Sequence, residues 1–153
     1  MKEIILDTET TGISVKEGHR IVEIGCIELN NLIPTQNKFH CYLNPERKVS
    51  EQAFKVHGYN DNFLSKQKRF NEVAEEFLKF INNKRLIIHN AEFDLSHLNN
   101  ELKILGKIVI FLKSRVSFLM EDFCLEQITI DWLIYQARKS FLLGSVLLFL
   151  EFL

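Results

Sequence analysis

The chain has 153 residues, 46% of them hydrophobic and 25% charged, with six Gly and two Pro. That is the make-up of one compact domain with a real core, and it excludes a disordered or low-complexity chain. A formal net charge of −1 argues against a protein that coats nucleic acid through a basic surface, though not against an enzyme that grips one strand end.

Three widely spaced cysteines, Cys26, Cys41 and Cys124, include no Cys-x-x-Cys pair. This argues against a structural zinc site and a disulfide framework, and points to the reducing cytoplasm. The opening Met1 to Asp7 is a short apolar run that meets an acid at once, unlike a signal peptide. Glu3 to Leu6 reads as a strand leading into a Thr10–Thr11–Gly12 turn. Arg20 to Leu29, with Ile21, Val22, Ile24, Cys26, Ile27 and Leu29, reads as a second, largely buried strand. Lys38 to Leu43 is a shorter third, closed by Asn44–Pro45, so the chain opens as an antiparallel meander.

Ser50 as N-cap and Gly58 as stop bracket a short helix. Phe70, Val73, Ala74, Phe77, Leu78 and Ile81 carry the spacing of an amphipathic helix. Leu86–Ile87–Ile88 makes a short strand within Arg85 to His89. Ala91, Leu95, Leu98, Leu102 and Leu105 then line a helix that Gly106 stops. The order predicts a mixed α/β sheet with helices packed on it. Beyond Lys107 the pattern weakens: Ile108 to Leu112 and Ile128 to Tyr135 read as strands. Phe141 to Leu153 is almost wholly apolar. A membrane span needs roughly 20 apolar residues, so this stretch is expected to be a buried terminal helix, and no membrane association is expected.

Two clusters carry chemistry. Asp7 and Glu9 stand two apart at a strand end, which puts both carboxylates on one face. Two acids there repel unless a cation lies between them, and hard divalent cations favour such oxygen ligands. An exposed strand end with two solvated acids is the plainer alternative. The second cluster, His89–Asn90–Ala91–Glu92–Phe93–Asp94, leaves a strand and opens a helix. An acid there often only complements the helix dipole, but ligand crevices of open sheets lie at the carboxyl ends of strands. Asp94 is therefore a candidate third metal carboxylate.

Asp7–Thr8–Glu9–Thr10–Thr11–Gly12 together with His89 to Asp94 resembles the first two motifs of the DEDD 3′–5′ exonucleases, above all the proofreading epsilon type of bacterial DNA polymerase III. Arg20–Ile21–Val22–Glu23–Ile24–Gly25 and Ala53–Phe54–Lys55–Val56–His57–Gly58 add to the likeness, which runs unbroken over residues 1–106. The resemblance implies a ribonuclease H-like mixed sheet with helices on both faces. It implies two divalent cations, Mg²⁺ or Mn²⁺, that serve hydrolysis of the 3′-terminal phosphodiester. Asp7 would bridge both ions, Glu9 would bind one and Asp94 would support the second. Asp7, Glu9, the turn Thr10–Thr11–Gly12, Gln52 and His57 would meet the terminal nucleotide. From its residues alone, His57 reads rather as a helix-end histidine bonded to backbone carbonyls. The implied partners are a single-stranded DNA 3′ end and the polymerase subunit of DNA polymerase III.

The family also has a third motif, His-x-x-x-x-Asp, giving the general base and the fourth carboxylate. The five histidines here are His19, His40, His57, His89 and His97, and none lies beyond residue 97. His89 and Asp94 have the spacing but already belong to the second motif. The Tyr-x-x-x-Asp variant is missing too, since Tyr135 is followed by Lys139. Thr129 to Leu133 and Ala137 to Phe141 resemble the elements before that motif, and the likeness fades after Phe141. The expectation is an exonuclease core at 1–106 and a degraded or frame-altered remainder of the same domain at 107–153, with the C-terminal part incomplete. The epsilon subunit's polymerase-docking tail is not found in this sequence. Glu121, Asp122, Glu126, Asp131 and Glu151 are the late acids available as substitutes. The alternatives are an inactive binding remnant of the fold and an RNA-directed exonuclease.

Overall fold

The computed structural model describes residues 2–107 and the two-residue strand at 116–117. The strands expected at Ile108 to Leu112 and Ile128 to Tyr135, the apolar stretch Phe141 to Leu153, Cys124 and the five late acids lie outside the described residues.

The sheet runs in the order β3-β2-β1-β4-β5. Its strands are β1 (Lys2–Thr10), β2 (Ile21–Asn30), β3 (Ile33–Tyr42), β4 (Arg85–Ile87) and β5 (Val116–Ser117). The first three form the expected antiparallel meander, and β4 joins β1 in parallel, so the sheet is mixed. Two strands are longer than their apolar runs. β1 continues through the acidic motif to Thr10 because β2 pairs with it as far as Ile21. β3 begins at Ile33 rather than Lys38, since Ile33 and Pro34 pair with Asn30 and Leu29. Thr35 to Asn37 fall in the irregularity between the Ile27–Lys38 and Leu29–Pro34 pairs, which accounts for their polar composition. Pro34 is tolerated because β3 is the edge strand. The two strands are joined through Asn31 and Leu32, both with positive φ, at 51° and 63°, as a tight two-residue hairpin requires.

Four helices follow: α1 (Glu51–His57), α2 (Asp61–Leu64), α3 (Phe70–Ile81) and α4 (Ala91–Ile104). Ser50 caps α1 through the Ala53 amide, and Gly58 ends it in a left-handed conformation. α2, and a 3-10 turn at Val15–Glu17, carry no apolar period and were not expected. Helix α3 buries Phe70, Val73, Ala74, Phe77 and Ile81. With Leu95, Leu98 and Leu102 of α4 these cover Ile4, Leu6, Ile24 and Cys26 of the sheet. Both long helices therefore lie on one sheet face. The opposite face carries Ile5, Leu29 and Ile87, and by strand alternation also Asp7 and Glu9. The expectation of helices on both faces reaches past residue 107 and so beyond the described residues. Among the described residues no helix is long and apolar enough to cross a membrane.

Candidate active site

The site forms where β4 stops and β1 continues. β4 pairs with β1 only along Glu3, Ile4 and Ile5. Beyond Ile5 the amides of β1 that would have faced β4 need another partner. Asp94, in the first turn of α4, fills that place: its Oδ1 accepts from the Thr8 backbone N–H at 3.0 Å and from the Thr8 hydroxyl at 2.7 Å. Asp94 is only 3% exposed. Burial raises its carboxyl to about 7 against the pull of the Thr8 bonds, and the Asp7 charge adds to the rise. The two acids therefore feel one another across the crevice.

Asp94 belongs to a buried polar stripe. Asp94, His97 and Glu101 repeat the spacing of Leu95, Leu98 and Leu102 one residue earlier, and all three are at most 3% exposed. His97 Nδ1 bonds the Phe93 carbonyl at 3.0 Å, and burial holds its imidazole below the usual range. Glu101 takes a two-pronged ion pair from Arg20, both bonds at 2.7 Å, and also accepts from the Ile21 amide. One helix thus grips β1 through Asp94 and the start of β2 through Glu101.

The Thr10–Thr11–Gly12 turn spends its polar groups internally. The Thr10 hydroxyl donates to the Gly12 carbonyl at 2.8 Å. The Thr11 amide donates to the Arg20 carbonyl, and the Thr11 carbonyl accepts from the Ser50 amide. Thr10, Thr11 and Gly12 are all buried, and Ile13 beside them is 76% exposed. His57, half-buried, is tied on both ring nitrogens. Nδ1 accepts from the Tyr59 amide at 3.0 Å, so Nε2 carries the proton toward the Thr10 carbonyl at 3.3 Å. Burial lowers its pKa, which keeps this neutral form. Gln52 lies exposed on α1.

Glu23 stands opposite Glu9 in the β1–β2 register, where like charges are unfavourable. Its oxygens are taken by His40 Nε2 at 2.7 Å and the Tyr59 hydroxyl at 2.8 Å. Tyr59 stacks on His57 with centroids 4.8 Å apart, so the strand holds the histidine through the tyrosine. Among the expected residues, the structure brings Asp94 to the strand of Asp7 and Glu9, and His57 to Thr10. Residue reading missed Thr8, His19, Tyr59 and the Arg20–Glu101 pair. The stripe at 94, 97 and 101 was the available signal, being polar at apolar spacing.

The exonuclease family model RNase_T matches residues 4–142. The chain belongs to this exonuclease family. Curated relatives of the chain are named DNA polymerase III subunit epsilon. That of Rickettsia typhi is 51% identical over 110 residues, which are 72% of this chain and 48% of the relative. That of Escherichia coli is 46% identical over 110 residues, 69% of this chain and 45% of the relative. The chain spans about half the length of the curated relatives it matches. Exonuclease I of E. coli, solved with single-stranded DNA, superposes with a TM-score of 0.68 at 12% identity, over 77% of this chain and 28% of that one. That likeness gives the fold, the ribonuclease H-like arrangement the motifs implied.

Exonucleases of this fold generally depend on divalent metal. Among the described residues, no three His, Cys, Asp or Glu side chains gather into a group that could hold a metal ion. The donors fit in kind: carboxylate oxygens suit hard cations, and Asp94 is held toward neutrality by burial and by Asp7, a state that a bound cation would reverse.

Proposed function

We propose that the chain is a DNA polymerase III epsilon-type 3′–5′ exonuclease that removes the terminal nucleotide from a single-stranded DNA 3′ end during proofreading in the cytoplasm. Residues 1–106 form its core, and the polymerase subunit is the partner this reading implies. The observation that carries it is the buried Asp94 bonded to Thr8, between Asp7 and Glu9 on β1. Asp7, Glu9 and Asp94 would hold two divalent cations, Mg²⁺ or Mn²⁺, which when bound supply an activated water and charge neutralisation at the scissile phosphate. Thr8 orients Asp94. The neutral His57 braces the Thr10 carbonyl, and the Thr10–Thr11–Gly12 turn with Gln52 offers the surface for the terminal nucleotide.

A second reading is a DNA-end-binding module without hydrolysis, motivated by residues 98–153 holding no His-x-x-x-x-Asp; it applies to these residues as they stand. General-base catalysis is worth about 10²–10⁴-fold. The deciding experiment follows degradation of a 5′-labelled single strand by the purified chain with Mn²⁺, beside Asp7→Ala and an EDTA lane. Stepwise 3′ shortening that both controls abolish supports the exonuclease. Retained metal and strand binding without shortening supports the binding module and overturns the first reading.

A further inference from the structure

The turn after β1 is backed by a histidine that the proposed reaction does not use. His19 is buried, at 9% exposure, and its ring lies against Gly12. A Cβ at Gly12 would fall 2.5 Å from Nε2 and 2.6 Å from Nδ1 of His19, and on its Cε1; the three nearest heavy atoms all belong to this one ring. Gly12 is thus a glycine for lack of room, and the ring creates the lack.

His19 also meets Thr11, whose Oγ lies 3.0 Å from His19 Nδ1. That hydroxyl accepts from the Arg20 amide at 3.1 Å, and its own proton can go to Nδ1. On the far side, His19 Nε2 stands 3.5 Å from a Glu17 carboxylate oxygen, where an N–H fits and a lone pair does not. The two contacts fit a ring that carries a proton on Nε2 and accepts at Nδ1.

We infer that His19 is a positioning residue: its Nδ1 acceptor holds the Thr11–Gly12 turn in the shape that receives a 3′-terminal nucleotide. The binding part of this rests on the exonuclease reading; the positioning part does not. Every polar group of Thr11 is engaged, so the turn cannot adjust to a ligand and must be preformed. Preformed geometry is what lowers the ordering cost of binding.

Two variants of the full chain separate acceptor from ring. His19→Phe keeps a ring under Gly12 and removes the acceptor. His19→Asn keeps an acceptor near the Nδ1 position. Nitrogen-15 NMR of the imidazole reads the tautomer, and the Gly12 amide resonance reads the turn. Affinity is measured with a 5′-labelled oligothymidylate ending in a phosphorothioate linkage and a free 3′ hydroxyl, against the same strand circularised. His19→Phe is expected to shift the Gly12 amide and lose about tenfold in end affinity, the scale of one hydrogen bond. His19→Asn should stay within about twofold of the parent on that scale. A proton found on Nδ1, or an unmoved Gly12 amide and full affinity in His19→Phe, overturns the inference. If the parent chain shows no preference for the free end, the exonuclease reading fails, and the tautomer and amide shift still decide the role of His19. Should His19→Phe not fold, Gly12→Ala is combined with His19→Ala. The double variant melting above Gly12→Ala alone supports the coupling, and additive losses overturn it.

Discussion

Thr8 is joined to Asp94 twice: its amide and its hydroxyl donate to the same carboxylate oxygen, at 3.0 and 2.7 Å. Both donors come from the residue between Asp7 and Glu9. The backbone that carries the two strand acids thereby also fixes the helix acid, and a shift of α4 along the sheet would break both bonds together.

Thr8→Val removes the hydroxyl and keeps the amide and the shape. Hydrogen bonds to charged groups are worth about 1.5–3 kcal/mol, so a stability loss of that order is expected at pH 8. The Asp94 carboxyl should titrate above its present value of about 7, because a lowering influence is gone. Carboxyl carbon NMR reads the titration and urea unfolding the stability. Thr8→Ser should leave both near the parent values. An Asp94 titration lower in Thr8→Val than in the parent would contradict the assignment.

Glu101→Ala strips the partner from Arg20, whose side chain is 20% exposed, while Glu101 itself is 2% exposed. Breaking such a buried pair costs about 3–5 kcal/mol, and the Ile21 amide loses its acceptor as well. The ion pair of Lys107 with Glu75, whose side chain is 92% exposed at 3.7 Å, is the internal comparison. Glu75→Ala should change stability by less than about 1 kcal/mol. Denaturant midpoints of the two variants check the contrast.

Much of this was legible in the residues, for physical reasons that differ by element. Helix α3 follows from its 3.6-residue apolar period, and α1 from its Ser50 cap and Gly58 stop. The ends of β1 and β3 were not legible, because pairing with β2 rather than composition carries β1 through Asp7 to Thr10 and starts β3 at Ile33 and Pro34, across an irregularity from Lys38. Asp7, Glu9 and Asp94 stood out by spacing and by resemblance. Their supports did not. Thr8 and His19 act through hydrogen bonds between segments far apart or across a turn, and no local period announces these. Arg20 and Glu101 lie 81 positions apart, and only the polar stripe of α4 hinted at the buried acid.

Leu32 carries a positive φ of 63° with its side chain 61% exposed, so strain is not repaid by burial. The left-handed conformation costs a branched residue about 1–2 kcal/mol. Leu32→Gly should relieve it and create the Asn-Gly pair that two-residue hairpins favour. The expected gain is about 1 kcal/mol, a rise in Tm of roughly 2–4 °C for a domain of this size. A thermal melt that is unchanged or lower would show that the side chain stabilises the hairpin in another way.

Asp94 makes the stability depend on pH in an uncommon direction. Its carboxyl titrates near 7 in the folded chain and near its ordinary 3.8 when unfolded. Between those values the folded state holds the extra proton, so the Asp94 contribution to stability falls as pH rises from about 4 to about 7, against the opposite slope of the buried His57 and His97. The decline is on the order of a few kcal/mol. Glu28, held down to about 2 chiefly by its bond to Lys84, adds the opposite slope, but mainly below that window. Asp7→Asn removes a like charge and should shift the Asp94 decline to lower pH. Mn²⁺ should cancel the decline in the parent chain, since a cation stabilises the ionised pair. Asp94→Asn should lose this decline and be indifferent to Mn²⁺, leaving the rise with pH that His57 and His97, both held below their ordinary 6.5 by burial, contribute. Thermal melts from pH 4.5 to 8, with and without Mn²⁺, check all three. A parent chain whose stability from pH 5 to 7 runs parallel to that of Asp94→Asn would show that Asp94 is ionised throughout.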